Sequence, residues 1–128
     1  MAILYRAKRI DNNEWVYGYL IGEDIIVGKV VEWEGKCFKT DFCHKVDPKT
    51  VGQYTGFEDM EGNKIYVGDI LYRVHKYAAG IMGHVQFKDG CYVLKNNYPI
   101  LYLYMLASVA KIVGDIHDNP ELLEDAII

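Results

Sequence analysis

The side chains with the most chemical reach in this chain fall into a few small groups. Gln53, Tyr54 and Thr55 stand together between Gly52 and Gly56, and Asp69 follows Gly68 further along. An amide, a phenol, a hydroxyl and a carboxylate beside a loop could line a cleft for a small polar ligand. The same residue types also serve structure. Asp satisfies turn amides, and a core tyrosine can reach a polar edge with its hydroxyl. Asp69 has an echo: Val-Gly-Asp-Ile occurs at 67–70 and again at 113–116. If the two segments lie close, Asp69 and Asp115 could face each other as a like-charged pair, which raises a carboxyl pKa. The plainer reading is two bends of one type, each with a glycine to relax the backbone and an Asp to bond amides.

Other reactive groups are sparse. Cys37, Cys43 and His44 match no structural zinc spacing. On one alternating strand the two thiols would lie about 20 Å apart, too far for a single ion, so no metal site is expected. Ser108 is the only serine, and it lacks the glycine-flanked turn of a hydrolase nucleophile. Cys91 and His84 could meet across a hairpin, but no third group orients them. No phosphate-cradling glycine loop is present, and no cofactor is implied. A second kind of site is a basic and aromatic stretch: Trp33, Lys36, Phe38, Lys39 and Lys45 could follow a nucleic-acid strand on a small barrel. Glu32, Glu34, Asp41 and Asp47 in the same stretch oppose that, as does a formal charge of −4.

The elements that must position these groups are short. Eleven tyrosines and two tryptophans in 128 residues weigh toward sheet. Residues 3–10 and 15–21 flank the polar connection Asp11-Asn12-Asn13-Glu14, which suits a hairpin. In the second run Trp15, Tyr17, Tyr19 and Ile21 share one face. Strands are expected over 25–27, 29–33 and 36–46, with a tight turn at Glu34-Gly35. Further strands follow around Asp47-Pro48-Lys49 and the glycines at 52, 56, 62 and 68. Asp89-Gly90 between 81–87 and 91–95 is the strongest hairpin signal. The run from Ile100 to Ala110 is ambiguous between strand and buried helix. Lys111 to His117 reads as the last strand, and Asn119-Pro120-Glu121 as a helix start. The expected fold is mainly β, a small β-barrel or meander in one domain over 1–128, with a short C-terminal helix.

Three regions together resemble the YopX family of phage and prophage proteins. The central one runs from Val51-Gly52-Gln53-Tyr54-Thr55-Gly56-Phe57 to Gly62-Asn63-Lys64-Ile65-Tyr66-Val67-Gly68-Asp69-Ile70. The second is Tyr5-Arg6-Ala7 with Trp15-Val16-Tyr17-Gly18. The third is Ile112 to Leu123, where Asp115 and His117 stand in place of the more usual asparagine and tyrosine. The resemblance spans essentially the whole chain. It implies a mainly β fold and a setting in phages or prophages of Gram-positive bacteria, and it carries no assigned biochemical activity.

Composition narrows the setting further. The longest apolar run covers eleven residues, against about 20 for a membrane-spanning helix, and three cysteines without framework spacing fit a reduced compartment. The charged N-terminus argues against secretion, so the expected location is the host cytoplasm. The expected function is non-catalytic binding or assembly. Its partners would be further copies of the chain and an unidentified phage or host protein, because a tyrosine-rich two-sided sheet exposes apolar surface for another copy to cover. The alternatives are a nucleic-acid-binding module and a small nucleotide-binding or hydrolytic enzyme.

Overall fold

A computed structural model describes residues 3–73, 80–96 and 101–125. The strands are β1 (Tyr5–Lys8), β2 (Trp15–Ile21), β3 (Ile25–Val27), β4 (Val30–Glu34), β5 (Cys37–Thr40), β6 (Cys43–Lys45), β7 (Gly52–Glu58), β8 (Lys64–Tyr66), β9 (Asp69–Arg73), β10 (Ile81–Lys88), β11 (Cys91–Lys95), β12 (Leu101–Tyr102) and β13 (Ala110–Asp115). Two short helices, α1 (Leu103–Leu106) and α2 (Glu121–Asp125), complete the set. The mainly β reading and the short C-terminal helix hold. The barrel does not: the sheets stay open, with β6, β12 and β13 each lying at the end of a strand order.

The chain divides into two compact units, Met1–Tyr54 and Thr55–Ile128. In the first, the strand order is β6-β3-β2-β1-β7. Its core is small: Ala7, Ile26 and Val46 are buried, with Tyr5, Val16, Leu20, Phe42 and Val51 packed around them. Lys8↔Trp15 and Arg6↔Tyr17 are cross-strand pairs, so they lie on the face opposite that core. There the Arg6 guanidinium carbon sits 4.6 Å from the Trp15 ring centre and Lys8 Nζ sits 5.4 Å from it. A cation held over an indole face is favourable, the more so when desolvated.

In the second unit β7 runs beside β8, and a five-stranded sheet has the order β12-β11-β10-β9-β13. Its core is larger: Ile65, Leu71, Val85, Leu94, Leu103, Leu106, Ala107 and Ala110 are all buried. Asp89 and Gly90 both take positive φ, 52° and 81°, as a two-residue hairpin turn requires. The ambiguous run resolves into three pieces, β12, α1 and a 3-10 turn at Ala107–Val109. Leu103 and Leu106, three apart, are the buried positions of the helical piece. Residues 74–79 and 97–100, the latter including the start of the Ile100–Ala110 run, lie outside the described residues.

A candidate interaction surface

The first unit carries a long hairpin whose two halves behave differently. At its base β3 pairs with β6: Ile25↔Lys45, Ile26↔His44 and Val27↔Cys43. Gly28 N–H then donates to Phe42 O (3.1 Å), and Asp41 N–H donates to Lys29 O (3.0 Å). Beyond that the same two chain segments continue as β4 and β5, with Val30↔Thr40, a bulge at Val31, then Glu32↔Lys39, Trp33↔Phe38 and Glu34↔Cys37. The expected single strand over 36–46 is thus two, β5 and β6, broken at Asp41-Phe42. Gly28 explains the join: a Cβ there would collide with the Asp41 carboxylate and the Phe42 ring. Gly35-Lys36 turns the tip.

The outer half is an arm. Every residue of β4 is exposed, and β5 is exposed up to Thr40. Residues directly opposite on paired strands share a face, so Trp33 and Phe38 form one side, with ring centres 5.4 Å apart edge to face. Glu32, Lys39, Glu34 and Cys37 form the other side. Val30 and Val31, at the bulge, add 44% and 56% exposed aliphatic surface. Trp33 is 65% exposed and Phe38 is 49% exposed. A two-stranded ribbon is marginal alone in water, and an amphipathic one leaves its apolar face to be covered. Trp33, Lys36, Phe38 and Lys39 all lie on the arm, the two rings on one side, Lys39 on the other and Lys36 at the tip. Lys45 sits apart, on the base, and Lys39 stands opposite a glutamate.

A second exposed apolar row lies on the same unit. Tyr17, Tyr19 and Ile21 of β2 are 51%, 36% and 47% exposed on the sheet face away from the core.

The residues expected to line a cleft are placed mostly by backbone bonding. Gln53 is half-buried opposite Tyr5, and Tyr54 N–H donates to Leu4 O (2.8 Å). Thr55 Oγ1 donates to Ile65 O (2.8 Å) and accepts from Phe57 N–H (3.2 Å). Asp69 Oδ2 accepts from Tyr66 N–H (2.7 Å). Ile65 O and Tyr66 N belong to one peptide group, so the two buried side chains hold it from both edges. That accounts for the spacing of the Thr-Gly and Gly-Asp elements without a ligand.

The model of the YopX protein family matches residues 4–124. The chain belongs to the YopX family. A crystal structure of protein EF1440 from Enterococcus faecalis has a similar fold, with a TM-score of 0.62 at 20% identity, covering 96% of this chain and 99% of that one. Among curated proteins, none matches.

Among the described residues of this YopX chain the remaining reactive groups do not converge. The two Val-Gly-Asp-Ile segments are indeed neighbours: Asp115 pairs with Asp69 and Gly114 with Ile70. They are not two bends of one type, however. Gly68 takes φ +99°, whereas Gly114 lacks a positive φ and instead makes room for Asn119, whose Oδ1 would lie 2.6 Å from a Cβ. Asp115 Oδ1 accepts from His117 N–H (2.9 Å) and Asp118 N–H (2.8 Å), so its carboxylate is turned to the following loop.

His84 stands opposite Lys95 and Cys91 opposite Lys88, which separates the thiol from the imidazole by about four residues, or roughly 13 Å along the hairpin. Among the described residues no group of three or more His, Cys, Asp or Glu could hold a metal ion. A shallow cavity of about 310 Å³ at the hairpin base is lined by Arg9, Ile10, Asp11, Cys43, His44 and Lys45. Its charges are already partly spent: Arg9 Nε and Nη2 donate to the two Asp11 carboxylate oxygens at 2.9 and 2.6 Å. That pairing raises the Arg9 pKa and lowers that of Asp11. Also among the described residues, no helix is long and apolar enough to cross a membrane.

What sequence reading missed is the arm as a unit. The signal was there in the pairing sums, since β3 and β6 share one register with Val30↔Thr40, but only the partner strand reveals it.

Proposed function

We propose that this protein is a non-catalytic binding or assembly protein of phage or prophage origin, acting in the host cytoplasm through the β4–β5 arm and associating with itself. The observation that carries the reading is the Trp33–Phe38 face, an aromatic pair left in water on an otherwise unsupported ribbon. Monomeric proteins seldom leave such a surface without a use. The scatter of reactive groups supports binding over catalysis, because among the described residues no nucleophile, base and orienting group meet. Light scattering of the whole chain over a wide concentration range tests self-association: a mass above one chain is expected, and a strict monomer at high concentration would remove it. Capture of the tagged protein from an induced lysogen tests the binding role, with a protein partner expected to persist after nuclease treatment.

A second reading keeps one specific support. Trp33 and Phe38 on a projecting ribbon, with Lys36 at its tip, resemble a stacking platform for unpaired bases. It predicts salt-sensitive retention of single-stranded DNA or RNA that Trp33→Ala abolishes. Glu32 opposite Lys39 and the acidic overall charge weigh against it.

A further inference from the structure

We propose that the self-association read above runs along the outer edge of β5: two copies align their arms antiparallel, Phe38 beside Phe38, as one ribbon in the order β4-β5-β5-β4. This seam rests on that reading and gives it a surface and a register. The arm alone is a sheet of two strands, and three or more are needed for such a ribbon to stand by itself. Among the described residues no strand pairs with either outer edge, but the two edges are not alike. β4 carries the bulge at Val31 together with Glu32 and Glu34, and bulges and charges blunt an edge against further pairing. A twofold pairing of β4 about Trp33 would also set Glu32 opposite Glu34 on both sides of the axis, and like charges directly opposite are destabilising. β5 runs without a bulge from Cys37 to Thr40, with Lys39 its one charge.

The backbone of β5 is already turned for this pairing. Asp41 N–H donates inward, to Lys29 O (3.0 Å), and the Glu34↔Cys37 pair closes the two-residue turn at the tip. Alternation along an antiparallel ladder therefore directs Cys37 and Lys39 inward to β4, and the amide and carbonyl of Phe38 and Thr40 outward. Placed on a twofold axis, Phe38 of one copy exchanges both hydrogen bonds with Phe38 of the other, and Cys37 comes opposite Lys39. Opposite residues share a face, so the two Trp33–Phe38 pairs line one side of the ribbon without a break. On the other side each Lys39 keeps Glu32 across from it and meets a neutral thiol at the seam. An axis at Lys39 would oppose two lysines. An axis at Cys37 would oppose two thiols and carry Thr40 past the other copy's turn.

Trp33, edge to face with Phe38 at 5.4 Å, holds the seam ring from within its own ribbon. One short strand per copy buries well under about 1,200 Å², the lower bound of a standard interface, so the pairing is reversible and grows with concentration. It is isologous and occupies the β5 edge, so it stops at two copies.

Disulfide capture tests the register. A Cys43→Ser, Cys91→Ser parent keeps Cys37 as its one thiol, and Lys39→Cys is then added. Opposed residues in a non-hydrogen-bonded pair have Cα atoms about 4.5 Å apart, within reach of a disulfide. Under mild oxidation Lys39→Cys is expected to form a covalent dimer at least about tenfold faster than the parent, because pairing presents the thiols at high effective concentration. Peptide mapping should join Cys37 of one copy to the introduced thiol of the other. Glu32→Cys in the same parent, on the same side of the ribbon but one strand from the seam, should react no faster than the parent. Fast capture by the parent alone, or equal capture by Lys39→Cys and Glu32→Cys, overturns the proposal. A second variant, Thr40→Pro, removes an outward N–H and none of the arm's own ladder. It should keep the wild-type circular dichroism and lose the concentration-dependent mass; association unchanged there also overturns the seam. If light scattering shows a dimer while Lys39→Cys is captured no faster than the parent, the β5 seam is wrong and self-association stands. A wild-type chain that is monomeric at every concentration, with no capture in Lys39→Cys, overturns both.

Discussion

At the scale of single residues, the most informative side chain is Asp59, which is 6% exposed. Burial pushes its pKa up. Backbone amides of Asn63, Ile112 and Glu61, with the Asn63 side chain, more than offset this, and the net direction is down. A carboxylate whose folded pKa lies below its unfolded value of about 3.9 stabilises the protein above that value, and the contribution disappears as pH falls through the folded pKa. Asp59→Ala is expected to cost about 1–3 kcal/mol at neutral pH, since it strands buried amides. The gap between the two proteins' urea midpoints should close below about pH 4.

Thr55 and Asp69 offer a second test, because both act on the peptide between Ile65 and Tyr66. A double-mutant cycle with Thr55→Val and Asp69→Asn should show a coupling of at least about 0.5 kcal/mol, and simple additivity would mean the two bonds are independent. His84 is a third case. Burial first, then Lys95, lowers its pKa. The amide nitrogen of Gln86 lies 2.9 Å from His84 Nε2, and an amide N–H only donates, so the ring accepts in its neutral form. Stability therefore falls as pH drops below about 6.5, the unfolded value, and an NMR titration should place the His84 midpoint below that of an exposed histidine.

At the scale of elements, the sequence was legible wherever a strand and its partner are joined by a short turn. The β1–β2 and β10–β11 hairpins follow directly from alternation plus Asp11-Asn12-Asn13-Glu14 and Asp89-Gly90. The β2 face of Trp15, Tyr17, Tyr19 and Ile21 was equally plain, because period two needs no partner. Two things were not. The Lys36–Val46 run contains no Gly or Pro to mark a break, yet its halves serve an exposed arm and a sheet, a distinction set by what lies across from each. The Ile100–Ala110 run is apolar but for Ser108, and its break into strand, helix and 3-10 turn depends on which leucines find the second core. Among the candidate site residues, sequence identified Thr55 and Asp69 as special, but only coordinates show that both hold one peptide group. Gly28 gives the element-scale prediction. Gly28→Ala should leave the far-ultraviolet spectrum nearly unchanged, because the base ladder has its own pairs, while shifting Trp33 emission and raising proteolytic cleavage between residues 29 and 42. An unchanged cleavage pattern would show that the arm does not depend on that join.

At the scale of the molecule, the two units differ in the depth of their cores. Among the described residues, the core cluster of the first has three buried apolar members and that of the second has eight. Local stability follows buried apolar contact, so native-state hydrogen exchange is expected to be slower for Leu71, Val85 and Leu94 than for Ala7 and Ile26. Equal protection would mean the units open as one. Under the proposed self-association through the arm of the thin-cored unit, a second copy adds stability by mass action. Melting temperature should therefore rise with protein concentration, and this rise should vanish in Trp33→Glu.

The loop around Asp59 bears on a different hazard. β13 ends its sheet, and its outer side is met by Met60 N–H on Ala110 O (2.9 Å) and by Ile112 N–H on Asp59 Oδ2 (3.1 Å). A bare strand margin is a template for fibril growth. By taking up the Ile112 N–H, the Asp59 carboxylate leaves one fewer unpaired donor on which a foreign strand could build.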